Sequence, residues 1–173
     1  MRRTLGLALL AAALIAVTAA DASATAITVR PSGSISATIN RLGFSGFLIQ
    51  LFTCDVTMSG SVSAGPITLP GRAGSVSSVS ITNCSSPHNI STSGLPWSLN
   101  AETTLRRCPS SSTGVLGTLP ATFIVDGITT RGNVGTLVSS GTGTISILRS
   151  SLSNSGMILP GSGTYSPVQT ISC

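Results

Sequence analysis

Residues 95–105 carry the strongest constraint in the chain. Leu95, Trp97, Leu99, Ala101, Thr103 and Leu105 alternate with mostly polar neighbours. A repeat of two sends successive side chains to opposite faces of an extended backbone, one face toward a core and one toward water. A helix cannot use this pattern, because its faces recur about every 3.6 residues. The same period marks Cys54, Val56 and Met58, and again Val79 and Ile81 ahead of Asn83-Cys84. Leu119, Ala121, Phe123 and Val125 repeat it before Asp126-Gly127, a two-residue hairpin signal. Ile145, Ile147 and the closing residues 168–173 add further strands. The nearly continuous apolar stretch 47–52 reads as a fully buried one.

Turn chemistry separates these runs. Gly33, Gly60, Gly74 and Gly143 each open a four-residue unit of glycine, hydroxyl residue, β-branched residue and serine. Their irregular spacing excludes a solenoid and fits a turn glycine that releases a strand. Leu-Pro at positions 69, 95, 119 and 159 marks strand entrances or edges, since proline cannot donate to a central ladder. The expected fold is all-β: a single antiparallel β-sandwich or barrel-like domain of about eight to ten strands.

Side chains able to do chemistry are scarce. Charged residues make up 8% of the chain, all the basic groups are arginine, and His88 is the sole histidine. A mean hydropathy of +0.48 argues against disorder, which needs low hydrophobicity and high net charge. The pI of about 9.9 does not imply nucleic acid. The arginines are scattered, only Arg106 and Arg107 adjoin, and no aromatics alternate with them for base stacking. A hydrolase would have to draw on His88, Asp55, Glu102 and Asp126. No G-x-S-x-G elbow is present, and Asp126-Gly127 is explained as a turn. We therefore expect no catalytic residues, no cofactor and no metal site. An exported hydrolase centred on His88 is the alternative. Trp97 and Tyr165 are candidates for a ligand platform, although the phase of Trp97 points it inward. Residues 44–49 could form a membrane-dipping tip, but a buried strand is the favoured reading.

The N-terminus reads as an export signal. Met1-Arg2-Arg3 precedes an apolar run over residues 5–17, and Ala22-Ser23-Ala24 offers a cleavage site before Thr25. The run is shorter than the roughly 20 residues that span a bilayer. The expected organisation is thus a signal peptide at 1–24 and a single secreted β domain at 25–173. After cleavage no stable membrane span is expected.

Cys54, Cys84, Cys108 and Cys173 form an even set, which in an exported chain reads as two disulfides. Three connectivities are possible. Cys54–Cys84 with Cys108–Cys173 is preferred because each pair joins the ends of candidate strands. In the chain-entropy model the two loops would contribute about 3.6 and about 4.3 kcal/mol.

Several segments together resemble a known layout. They are Phe52-Thr-Cys54-Asp-Val-Thr-Met-Ser-Gly60, Val79-Ser-Ile-Thr-Asn-Cys84, Leu95-Pro-Trp-Ser-Leu99 and the closing Ser166-Pro-Val-Gln-Thr-Ile-Ser-Cys173. The layout is similar to that of uncharacterised exported β-rich proteins of high-GC actinobacteria. The resemblance implies a signal peptide, one β domain and a disulfide near Cys54 and Cys84, and it carries no activity. Unlike that layout, the stretch Thr130-Arg-Gly-Asn133 has no cysteine here. The expected function is a secreted, non-catalytic structural or adhesive module of the extracellular or cell-envelope space. A cell-wall polymer, a polysaccharide or a surface protein would be its partner, not nucleic acid. A secreted inhibitor or effector, with a braced loop over residues 108–117, is a further possibility.

Overall fold

The alternating segments do become strands. The computed structural model describes residues 25–46, 49–105 and 113–173. The expected export signal at 1–24 therefore lies outside the described residues. So do Phe47-Leu48 and residues 106–112, which include Cys108.

Among the described residues, fourteen strands run in order: β1 (Ala26–Arg30), β2 (Gly33–Gly46), β3 (Ile49–Val62), β4 (Pro66–Thr68), β5 (Gly71–Thr82), β6 (Ile90–Thr92) and β7 (Trp97–Thr104), followed by β8 (Gly114–Val125), β9 (Ile128–Ser139), β10 (Thr144–Ile147), β11 (Ser150–Ser151), β12 (Met157–Ile158), β13 (Gly161–Ser166) and β14 (Thr170–Ser172). Eight of them close an antiparallel barrel in the order β2-β13-β10-β9-β8-β7-β5-β3, with β3 returning to β2. Closure removes the unpaired edges that an open sheet would have to protect. The sandwich-or-barrel expectation thus resolves to a barrel.

Inward positions fill the lumen. Phe52, Cys54 and Val56 of β3 and Leu119, Ala121, Phe123 and Val125 of β8 are all buried. Outward positions pair hydroxyls across strands: Thr38 with Thr57 at 3.3 Å, Ser61 with Ser75 at 3.3 Å and Ser146 with Ser162 at 3.1 Å. That pairing gives the abundant serine and threonine a structural use on the outer face.

Bulges shift the phase where simple alternation fails. In β7 an irregularity between Ala101 and Thr103 turns Thr104 inward, and Leu105 emerges half exposed. Residues 97–101 follow the expected pattern; Thr103 and Leu105 do not. In β2 an irregularity between Ile39 and Leu42 carries Arg41 at φ 55°. Asp55, opposite it, accepts the Arg41 amide at 2.9 Å and the Asn83 side-chain amide at 2.9 Å. These two bonds hold the Asp55 carboxyl below its ordinary value, the Asn83 bond contributing most.

Three local expectations need correction. Leu51 is 60% exposed beside buried Phe52, so this part of β3 alternates and is not buried on both faces. Gly60 and Gly74 lie inside β3 and β5, where an added Cβ would overlap the Ser75 and Ser61 carbonyls respectively. They permit close backbone approach, whereas Gly33 and Gly143 adopt positive φ as turn glycines do. Pro120 sits within β8, not at an edge. It occupies the interval between pairing with β7, which ends at Thr118, and pairing with β6, which begins at Phe123. On that side no strand needs its missing N–H there, while on the other side β9 pairs with it at Asn133.

A separate sheet, β14-β1-β4, closes one end of the barrel, here the base. Ile27, Val29, Ile67 and Ile171 from it pack on Val62, Ala73, Ala101 and Val115 of the barrel. Gln169, just before β14, accepts the Gly141 amide at 2.8 Å, and the Ile171 amide donates to Ser140 Oγ at 3.0 Å. The last strand is anchored at both its flank and its centre.

Candidate functional site

The opposite end, the mouth, is assembled differently. Toward it the β5–β7 pairing ends at Val76 and Trp97, where β7 begins, and β6 pairs instead with Phe123 to Val125 of β8. On the other side β10 stops at Ile147, and the β11–β12 hairpin bridges the space between β9 and β2. Ser153 donates its amide to the Arg131 carbonyl at 2.7 Å, and Leu159 donates to Gly43 at 3.0 Å. Asn154 and Ser155 both have positive φ, the two-residue turn geometry that suits a twisted hairpin. Asp126 and Gly127 form the same kind of turn between β8 and β9.

These pieces surround an apolar cavity of about 290 Å³ that opens to solvent. Phe44, Phe52 and Phe123 line its inner part. Val125, Ile128, Leu152 and Met157 form the walls, and Ser45, Asn154 and Ser155 are also at its edge. The phenylalanines touch one another. Phe44 stacks on Phe52 at 5.6 Å and meets Phe123 edge-on at 5.7 Å. For scale, an engineered apolar cavity of about 150 Å³ accepts benzene. Among the described residues, no charged side chain lines this one.

One wall is clamped twice. Cys54 and Cys84 form a disulfide that ties the start of the 83–89 segment to β3, the pairing favoured from the sequence. Four residues later His88 packs its ring on Phe52 at 4.4 Å and meets Asp126 through Nδ1 and Oδ2 at 2.6 Å. The carboxylate accepts, so Nδ1 carries the proton. Asp126 Oδ1 also accepts the Asn89 amide at 2.9 Å. The Asn89 bond, followed by the His88 bond, holds the Asp126 carboxyl below its ordinary value. The second member of the preferred disulfide pairing, Cys108–Cys173, cannot be placed from the Cys108 side, which lies outside the described residues. Cys173 itself is disulfide-bonded.

The other predicted site residues fall elsewhere. Trp97 and Tyr165 are each 3% exposed, so neither ring lies open on the surface. Trp97 donates its indole N–H to Ser93 at 2.8 Å and meets Phe123 edge-on at 5.5 Å. Tyr165 donates its hydroxyl to the Ser139 carbonyl at 2.8 Å, and burial raises its pKa. Glu102 accepts from the Thr118 hydroxyl at 2.7 Å. His88 and Asp126 are brought together; Asp55 and Glu102 serve separate contacts. Among the described residues, no serine hydroxyl is hydrogen-bonded to His88, and no group of three or more His, Cys, Asp or Glu could hold a metal. The same residues include no helix long and apolar enough to cross a membrane.

Sequence reading missed the cavity because its lining comes from five separate stretches. The one available signal was Phe44, Phe52 and Phe123, three of only four phenylalanines, all on inward strand positions. Comparison with curated proteins and with solved structures gives no match. The family model described as alkane oxidation protein activator PraA/PraB-like does match, over residues 1–173, and this protein belongs to that family.

Proposed function

We propose that the protein is a non-catalytic accessory factor of alkane oxidation that takes an alkyl chain into the barrel mouth. The observation that carries this reading is the open cavity of about 290 Å³ with its phenylalanine floor and uncharged lining. An apolar chain gains about 0.8 kcal/mol per methylene removed from water, so such a cavity favours hydrocarbon over any polar solute. The family description supports an activating role in place of a catalytic one. We further propose that the protein acts outside the cytoplasm, with residues 1–24 as its export signal. Mass measurement of the protein recovered from culture medium should then give a chain beginning at Thr25.

The functional test has two parts. Purified protein equilibrated with decane should retain it in a saturable manner, and its addition to alkane-oxidising cells should raise the oxidation rate. Absence of retention for every alkane tried would remove the reading. A structural or adhesive role on the envelope is the second reading, favoured by the hydroxyl pairs on the outer strand faces. Under it, the protein would be retained on isolated cell walls or polysaccharide whether or not alkane is present.

A further inference from the structure

We infer that the ligand is an uncharged alkyl chain and that Phe123 sets the length accepted. This rests on the mouth-binding reading above and specifies its ligand. The argument follows β8 downward from the mouth. Val125 and Phe123 line the mouth cavity, and Leu119 lines a deeper void of about 70 Å³, while Ala121 between them lines neither. Phe123 is therefore the last β8 side chain a ligand meets. Its ring is edge-on to Phe44 on one side and to Trp97 on the other, and it is 5% exposed. Below it Ala121 offers only a methyl group, so little on β8 besides the Phe123 ring occupies the section between the two voids.

Lining chemistry fixes the ligand class. Among the described residues, no charged side chain lines the cavity to balance a carboxylate or an ammonium group, and burying an unpaired charge is costly. A polar end, if the ligand has one, would stay at the rim beside Ser45, Asn154 and Ser155. At roughly 30 Å³ per methylene-sized unit, taking the volume of a water as the measure, the cavity holds about ten units. Affinity should therefore rise about fourfold per added methylene and level off once the chain fills the space.

The test measures binding of hexane, octane, decane, dodecane and hexadecane to the full chain and to F123A, by displacement of a fluorescent apolar probe. The wild type should level off near decane. F123A should level off about three methylenes later, the equivalent of the ring volume removed. Near-UV circular dichroism checks that F123A stays folded; if it does not, F123L and the opposite change V125F decide. F123L should lengthen the accepted chain slightly, and V125F should shorten it. Saturable binding with the same levelling point in folded variants would overturn the role of Phe123 and leave the proposed function standing. No saturable binding of any alkane by the wild type would overturn both. Tighter binding of decanoate than of decane would overturn the uncharged class.

Discussion

The base and the mouth of this barrel are built from the same alternating strands but finished differently. At the base a three-stranded sheet brings β1 and β14 together, and the void beneath it measures about 40 Å³. At the mouth two short inserts complete the wall, and the space between them is about 290 Å³ and open. The base uses aliphatic side chains, Ile27, Val29, Ile67 and Ile171, packed on the barrel so that only a small void remains. An open end uses three phenylalanines packed against one another, which leaves room above them. The difference separates stability from binding. Substitutions at the base should cost stability and leave ligand uptake unchanged, whereas substitutions of the side chains that line the mouth cavity should change ligand uptake.

The largest expected effect lies at the mouth wall. Replacing both Cys54 and Cys84 with alanine should lower unfolding stability by about 3.6 kcal/mol, read from urea denaturation, by freeing a loop of 30 residues. A loss below about 1 kcal/mol would mean that the wall is held chiefly by its hydrogen bonds. At the base, Ile171→Ala should cost about 2–3 kcal/mol, in the range for buried isoleucine truncation, with unchanged alkane binding. Reduced binding in that variant would break the proposed division between the ends.

Smaller effects should come from the His88–Asp126 clasp. His88→Ala uncovers the Phe52 ring and should weaken alkane retention more than it lowers the melting temperature. Equal loss of both would assign the histidine a purely structural role. The acid response has a definite sign. Asp55 and Asp126 have carboxyls held below their ordinary value in the folded state. Their stabilisation is complete above the ordinary carboxylate range and is lost as pH falls through the lower folded values. Asp126→Asn should therefore flatten the acid limb of melting temperature against pH without altering the neutral plateau's shape. An acid limb unchanged in that variant would place the titration elsewhere.

Much of the barrel was legible because its strands alternate. Leu119, Ala121, Phe123 and Val125 announced both their strand and the turn after it, and Cys54 and Cys84 announced their bond through strand ends. The failures have physical reasons. Bulges at Arg41 and in β7 change the phase without changing composition, so Thr104 replaced Thr103 in the core. Gly60 and Gly74 resemble turn glycines in sequence, yet they relieve crowding between paired backbones. The His88–Asp126 contact spans 38 positions and follows from the pairing of β6 with β8. Asp126 also had a sufficient local explanation as a turn residue, which concealed its second role. The cavity was the least legible feature, since an empty space is a property of how strands converge and no single segment encodes it.

The contrast between the two ends can be measured in one experiment. Titrating decane into protein with labelled isoleucine methyl and phenylalanine ring groups should shift resonances of Phe44, Phe52 and Phe123 and leave those of Ile27, Ile67 and Ile171 in place. Shifts confined to the base, or none at saturation with decane, would contradict the assignment of the mouth as the binding end.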